Sequence, residues 1–528
     1  MPPLTAARHT VFSIVLLAVL VAAAHGASLG YGFVMDDWPQ IVENQRLGQL
    51  TLADAFLRGT MANSALAAHG GDSYRPAFVL WLSGTSRLWG LDPLGWHLSN
   101  MVLHLTGTLL LWRLALRLMP AFGALAAAGL FALHPALAQS VTWISGATDP
   151  LLTLWVLGAA LSHLRWRQSG RLEWAGLTAG LYFLAVLTKE TALPLPLVLV
   201  ALDYCLGVNW RRSLQLAPLA LIIAAWAVLR LHALGDGAGE AGLVLSLDGF
   251  RRLVDYAMYA LESVVFPWPQ PYFFLPPASP LATVALVPAL AVIGGLLYAA
   301  GMRAGLFSAA WTLLFLAPPL MVAFHPVGAF AFRFLYLPMA GVALLTGFAA
   351  ARLRVERPGV LPPIIGLVVV AGLSGSVVAA KDWRDDEAFY TLVIRSSPEA
   401  GSGYYGLARH WERKGDVVRQ EAAFQQAVAA VTNADERLSL LESLGILMAQ
   451  NGRHTESLQV FKQLAALPTG RHAGLVGIAN VHWMAGDLKA ALAAYDDALR
   501  ENPNDRGTRM NRERLAGLLR QGGTARIP

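Results

Sequence analysis

About eleven runs of apolar residues, each near the roughly 20 needed to cross a bilayer, fill the part of this 528-residue chain before Lys381. They lie near Thr10–Gly30, Leu94–Leu116, Phe122–Gln139, Pro150–Leu164, Leu172–Leu187 and Thr191–Gly207, then near Leu214–Leu231, Leu281–Met302, Leu306–Phe324, Phe334–Ala350 and Leu361–Ala380. In lipid a backbone must satisfy its own hydrogen bonds, so such runs fold as helices. The fold class is therefore all-α, a polytopic membrane bundle. Composition agrees. The chain is 55% apolar and 14% charged, against about 25% charged for a soluble domain, and its mean hydropathy is +0.49. That apolar content excludes disorder. The single Cys205 excludes a disulfide scaffold.

The placement of positive charge predicts orientation. With Arg8 cytoplasmic, every second loop carries the Arg excess: Arg113 and Arg117; Arg165, Arg167 and Arg171; Arg211 and Arg212; Arg303; and Arg352, Arg354 and Arg357. Residues 31–93, 232–280 and everything after 380 then face outward. A competing reading of the first run is a cleavable signal peptide, because Ala22-Ala23-Ala24-His25-Gly26-Ala27 offers small residues after a short apolar stretch. Cleavage would not change the sidedness of the rest.

Residues 1–380 are read as the membrane domain, 381–400 as a linker and 401–528 as a soluble tail. The tail repeats at the period of tetratricopeptide units, roughly 34 residues. Gly415, Gly452 and Gly486 mark the turns between paired helices. An aromatic (Phe424, Phe461, Tyr495) follows each glycine, and a small residue (Ala408, Gly445, Ala479) precedes it, in the same register. Pro503 closes the last unit. About three repeats form a short α-solenoid whose concave face suits a polypeptide; the plainer reading is a helical cap on the membrane domain.

Chemistry gathers at span ends. Phe33-Val34-Met35-Asp36-Asp37-Trp38 places adjacent carboxylates just after the first span. Like charges at a bilayer surface are costly unless used. A general base, a divalent cation site (Mg or Mn) and capture of a cationic group all fit, as does a helix N-cap at Asp37 with Pro39 in the first turn. Arg75, in Ser73-Tyr74-Arg75-Pro76, suits a phosphate or a lipid headgroup. His97, Asn100 and His104 share one helix face, which fits inter-helix hydrogen bonding better than a metal site. His134 in Phe131-Ala132-Leu133-His134-Pro135, Asp149, the Lys189-Glu190 pair, and Arg333 with Tyr336 complete the polar set. A self-neutralising pair is the plain reading of Lys189-Glu190.

The order Phe-Val-Met-Asp-Asp, Tyr-Arg-Pro, His-x-x-Asn-x-x-x-His, Phe-Ala-Leu-His-Pro, Thr-Lys-Glu and Arg-Phe-Leu-Tyr-Leu-Pro, then Trp383 before the repeats, resembles the transmembrane and tetratricopeptide repeat-containing O-mannosyltransferases and their bacterial relatives. These are C-type glycosyltransferases. The resemblance implies transfer of a sugar from a polyprenyl-phosphate donor to a hydroxyl of a protein or glycan. It also implies the outer (periplasmic) face of a bacterial inner membrane, with membrane lipids and no nucleic acid as partners. It makes Asp36 the base with Asp37 its partner, and puts Arg75, Lys189 and Arg333 near the donor phosphate. The remaining polar residues become pocket candidates. Gln139 stands where eukaryotic members have Glu, and Ala147 follows Gly146 where they have Arg, so the resemblance carries no particular sugar. Two other classes compete: a membrane-anchored repeat scaffold without enzymatic activity, and a transporter. A transporter would need inverted repeats with matching broken helices, a pattern absent from this sequence.

Overall fold

A computed structural model describes residues 3–64, 73–235, 246–265, 280–325, 330–399 and 401–520. The described residues are helical with no strand. They divide into two compact units, before and after the Phe389–Tyr390 junction.

The first unit begins with α1 (Pro3–His25), α2 (Leu52–Leu57), α3 (Pro76–Trp89), α4 (Pro93–Leu118), α5 (Ala121–Leu133), α6 (Ala138–Thr142), α7 (Thr148–Ser169) and α8 (Leu172–Thr188). It continues with α9 (Leu195–Cys205), α10 (Trp210–Ser213), α11 (Ala220–Leu234), α12 (Leu247–Val265), α13 (Pro280–Ala300), α14 (Met302–Leu320), α15 (Tyr336–Glu356) and α16 (Leu361–Lys381). All eleven apolar runs fall on helices. Among the described residues seven are long and apolar enough to cross a membrane, and the bent pair α5–α6 makes an eighth. This is a multi-pass membrane protein. The other three runs correspond to α8, α9 and α13. Helix α9 has only 11 residues, and a Lys-Glu pair separates it from α8.

Local chemistry explains the breaks. Pro135 disfavours helical geometry at His134, so α5 stops at Leu133 and the chain turns by 53° before α6. His134 Nδ1 then accepts from the Ala136 amide (3.3 Å), and its Nε2–H donates to the Val264 carbonyl (3.0 Å) in α12. The turn is sealed by α16: Ser376 Oγ donates to the Leu133 carbonyl, and a Cβ at Gly375 would fall 2.5 Å from the Pro135 ring. The long runs 31–93 and 232–280, expected as outer loops, contain helices α3 and α12 respectively.

Helices α5 and α15 meet backbone to backbone. A Cβ at Gly123 would lie 2.5 Å from the Gly347 carbonyl, and one at Gly347 would lie 2.6 Å from that of Gly123. Small residues permit this approach where lipid supplies no hydrophobic drive.

The second unit holds most of α17 (Asp386–Ser396), in the stretch expected as a linker, then α18 (Gly401–Arg413), α19 (Val417–Ala430), α20 (Ala434–Gln450), α21 (His454–Ala465), α22 (Arg471–Met484), α23 (Leu488–Glu501) and α24 (Arg506–Arg520). Gly415, Gly452 and Gly486 take φ values of +69°, +75° and +84° at the turns within pairs, a region that favours glycine. The aromatics pack between the two helices of their own pairs. A Cβ at Gly445 would meet the Phe461 ring at 2.7 Å, and Tyr495 packs edge-on against Trp483.

Gly347→Val should separate α5 from α15 and cost roughly 1–3 kcal/mol, the usual range for overpacking. Thermal unfolding of the purified protein in detergent should show a lowered transition. An unchanged transition would mean that the contact does not hold the helices together.

Candidate functional site

The irregular backbone between α6 and α7 organises the site. Its carbonyls at Trp143 and Ile144 face an apolar bundle, and Asn100 Nδ2 donates to both, at 2.9 and 3.1 Å. Trp143 Nε1 donates to the Val34 carbonyl (3.2 Å). The indole stacks on Trp383 at 5.2 Å. These contacts tie residues 143–147 to the segment carrying the acid pair.

That segment is kinked. Met35 has φ +54°, a left-handed conformation that costs a residue with a Cβ about 1–2 kcal/mol. Its amide donates to Asp386 Oδ1 (2.9 Å), which holds the kink. The two aspartates consequently differ. Asp37 is buried and both its oxygens are engaged: Oδ2 accepts from the Val34 amide (2.9 Å), and Oδ1 accepts from the Ser145 amide (2.8 Å) and Oγ (2.5 Å). It precedes a turn at Trp38–Val42 without capping it, so the N-cap reading is corrected. Asp36 is half-buried, and no hydrogen bond or ion pair to its carboxylate occurs among the described residues. Burial raises the Asp37 carboxyl to about 7, opposed by the Ser145 and Val34 donors, with Asp36 a minor contributor. Burial also raises Asp36, and Arg333 draws it back. Desolvation, rather than the like-charge neighbour, is thus the main cause of both shifts.

Tyr-Arg-Pro works as anchor, projection and helix start. Tyr74 is fully buried with its hydroxyl on the Phe56 carbonyl, and Pro76 opens α3. Arg75 between them forms a two-point contact with Glu190, Nη2 at 2.8 Å from Oε1 and Nε at 3.4 Å from Oε2. Where α8 ends, Lys189 is extended and sends its ammonium to Asp149 Oδ1, 2.5 Å away. Lys189 and Glu190 therefore do not neutralise each other, as the plain reading had it; each pairs elsewhere. Burial alone would raise Glu190, but Arg75 and Lys189 outweigh it and hold this carboxyl below its usual range. Lys189 is lowered by burial and by the positive charges of Arg75 and Arg333, while Asp149 raises it.

Arg333 differs from the other two cations. Its amide is held by Gln139 Oε1 (2.9 Å). Its guanidinium lies 4.9 Å from the Trp143 ring centroid and 5.5 Å from that of Phe334, whose other near cation is Lys189 at 5.3 Å. Its Nε is buried without a hydrogen-bond partner, as is Asp149 Oδ2. Among the described residues here, Arg333 and Asp36 have no ion-pair partner, and Asp37 has hydrogen bonds alone.

The structure thus brings together Asp36, Arg75, Asp149, Lys189, Glu190 and Arg333, all at helix ends. It assigns the other candidates to support. His104 Nε2–H points to the Ala132 carbonyl (3.3 Å), so Nδ1 accepts from the Tyr336 hydroxyl (2.6 Å). His97 is buried against Tyr31. Among the described residues no three His, Cys, Asp or Glu side chains are grouped to hold a metal ion. Ser145, Asp386 and Phe334 were missed as positioning groups; only Ser145, four residues before the candidate Asp149, carried a local signal.

A tetratricopeptide-repeat family model matches residues 387–435 and 444–506. A protein O-mannosyl-transferase of Caenorhabditis elegans is 25% identical over 75% of this chain and 59% of its own length. The protein O-mannosyl-transferase Tmtc1 of Drosophila melanogaster is 37% identical over 31% of this chain and 20% of its own, and TMTC3 of Mus musculus is 28% identical over 33% and 19%. The matches thus span about three fifths or less of these relatives. Among solved structures, the archaeal oligosaccharyltransferase AglB of Archaeoglobus fulgidus, in complex with an inhibitory peptide and a dolichol-phosphate, aligns over 78% of this chain and 59% of its own, with 12% identity and a TM-score of 0.44.

Asp37 yields a pH prediction. Its carboxyl titrates near 7 in the folded chain and near 4 when unfolded, so folding favours the protonated form between those values. That contribution is complete below about pH 4 and is lost as pH rises through about 7. Thermal unfolding in detergent should therefore weaken over this interval, and Asp37→Asn should flatten the slope. A wild-type slope that survives the substitution would assign it to another group.

Proposed function

We propose that this relative of the protein O-mannosyltransferases is a membrane glycosyltransferase that moves a sugar from a polyprenyl-phosphate donor to a hydroxyl of a protein or glycan on the outer face of the membrane. The observation that carries the reading is the opposition of an unpaired carboxylate, Asp36, and an unpaired guanidinium, Arg333, at helix ends of an apolar bundle.

The donor cannot leave the bilayer, so its phosphate must be held where lipid meets water. Arg333 is the principal phosphate ligand, because its charge is not already spent on a neighbouring carboxylate. Its Nε and the face packed on Trp143 orient the guanidinium fork that suits a phosphate. Arg75 and Lys189, paired with Glu190 and Asp149, form a charge-balanced frame that adds positive potential without presenting an uncompensated cation. Asp36 accepts the proton of the acceptor hydroxyl. The acceptor oxygen bonds to the anomeric carbon while the anomeric carbon–oxygen bond breaks, its electron pair leaving with the polyprenyl phosphate. A phosphate is already a good leaving group, so one base and a cationic cradle suffice. Asp37, saturated by Val34 and Ser145, positions the loop. The repeat unit, on this reading, receives the polypeptide acceptor.

Purified protein in nanodiscs, assayed with polyprenyl-phosphate hexoses by mass spectrometry of the acceptor, tests this directly. Asp36→Asn should lower turnover by roughly 10²–10⁴-fold with donor affinity nearly unchanged. Arg333→Gln should instead weaken donor binding. Near-normal transfer by Asp36→Asn would end the proposal, and a greater loss in Asp37→Asn would exchange the roles within the pair.

A further inference from the structure

Helix α12 has three faces. The first is docked: Tyr259 stacks on Phe332 with centroids 5.7 Å apart, Tyr256 packs on Phe330, and Arg252 Nε donates to the Ala323 carbonyl (2.8 Å). The second is charged and exposed, with Arg251 and Asp248 forming an ion pair at 3.2 Å while remaining 70% and 79% exposed, and Asp255 beside them. The third is apolar and exposed. Leu247, Phe250 and Val254, at i, i+3 and i+7, are 68%, 52% and 61% exposed, and Phe250, at the border with the docked face, also meets the Phe324 ring edge-on at 5.1 Å.

Water would not leave such a stripe uncovered. The helices that flank α12 in the chain indicate what covers it. Leu221 and Val228 of α11, and Val287 and Tyr298 of α13, are 66–79% exposed on helices that face lipid, and α12 packs against α13. A helix with separate water, protein and apolar faces lies along an interface rather than across it. We propose that α12 lies in the membrane surface with Leu247, Phe250 and Val254 seated among lipid acyl chains, and that the Tyr259–Phe332 stack carries this seating to the adjoining Arg333. The first half stands on exposure and packing alone; the second rests on the reading of Arg333 as phosphate ligand. On this arrangement the depth of the helix in the leaflet sets the height at which a lipid-linked phosphate meets the guanidinium.

Cys205 is the only cysteine, so a Cys205→Ser background allows single labels. Cysteines replacing Leu247, Phe250 and Val254, and separately Arg251 and Asp255, would carry an environment-sensitive fluorophore in phosphatidylcholine nanodiscs. Labels at 247, 250 and 254 should be quenched by brominated acyl chains and be several-fold less open to aqueous iodide than those at 251 and 255. Equal access to iodide overturns the seating, and so does shielding from both quenchers, which would mean that a second copy or another protein surface covers the stripe. In the same nanodiscs, Tyr259→Leu should weaken binding of polyprenyl phosphate by roughly 5-fold, in line with the worth of an aromatic pair. Unchanged affinity in Tyr259→Leu alone overturns the coupling to Arg333. Unchanged affinity in Arg333→Gln as well places the fault in the phosphate assignment and leaves the lipid seating to the quenching result.

Discussion

An interrupted backbone inside an apolar bundle cannot turn to water for its hydrogen bonds, and most of the site follows from how this chain solves that problem. Between α6 and α7 the carbonyl of Trp143, which also takes the Gly146 amide, and that of Ile144 lie outside an α-helical ladder, and backbone groups left unmet in lipid cost several kcal/mol each. Asn100 takes both. Ser145 in the same stretch spends its amide and hydroxyl on Asp37, and Trp143 donates back to Val34. Satisfying the broken span therefore locks the acidic loop onto it. Polar side chains that a sequence reader would collect as catalytic are the means by which irregular backbone is tolerated at this depth.

Charge balance imposes the second constraint. A buried ion pair persists when each partner is matched closely, since removing one member strands the other. Lys189 with Asp149 meets that condition, and Arg75 with Glu190, only half-buried, is matched as closely. Arg333 and Asp36 do not, and the proposed function rests on that exception. Packing supports the exception: Gly123 against Gly347 lets α15 approach α5, which brings the Arg333 turn beside Gln139 and Trp143.

Much of the architecture was legible because hydropathy and repeat spacing are local signals. The apolar runs and the three turn glycines fall where periodicity puts them, and Pro135 marks the break in the third span. The division of labour within the acid pair was not legible. It depends on a left-handed Met35, a residue with no special preference for that conformation, held by Asp386 some 350 positions later. The exchange of partners by Lys189 and Glu190 escaped for a similar reason. Neighbours in extended backbone point to opposite sides, and their partners come from α7 and the start of α3. The runs of α8 and α9 were read as two spans, and they fold as two short helices of 17 and 11 residues with the charged pair between them.

The order of those partners along the chain has a bearing on how the protein enters the membrane. An isolated Lys or Asp at the centre of a span costs about 2.5–3.5 kcal/mol on insertion, and synthesis delivers the chain from its N-terminus. Asp149 precedes Lys189, Arg75 precedes Glu190, and Asp36 precedes Arg333. When the weak α8–α9 segment emerges, both of its counter-charges are already in place to receive it. The partners in the ion pairs around the candidate site would thus already be present when two of its shorter helices, of 17 and 11 residues, enter the membrane.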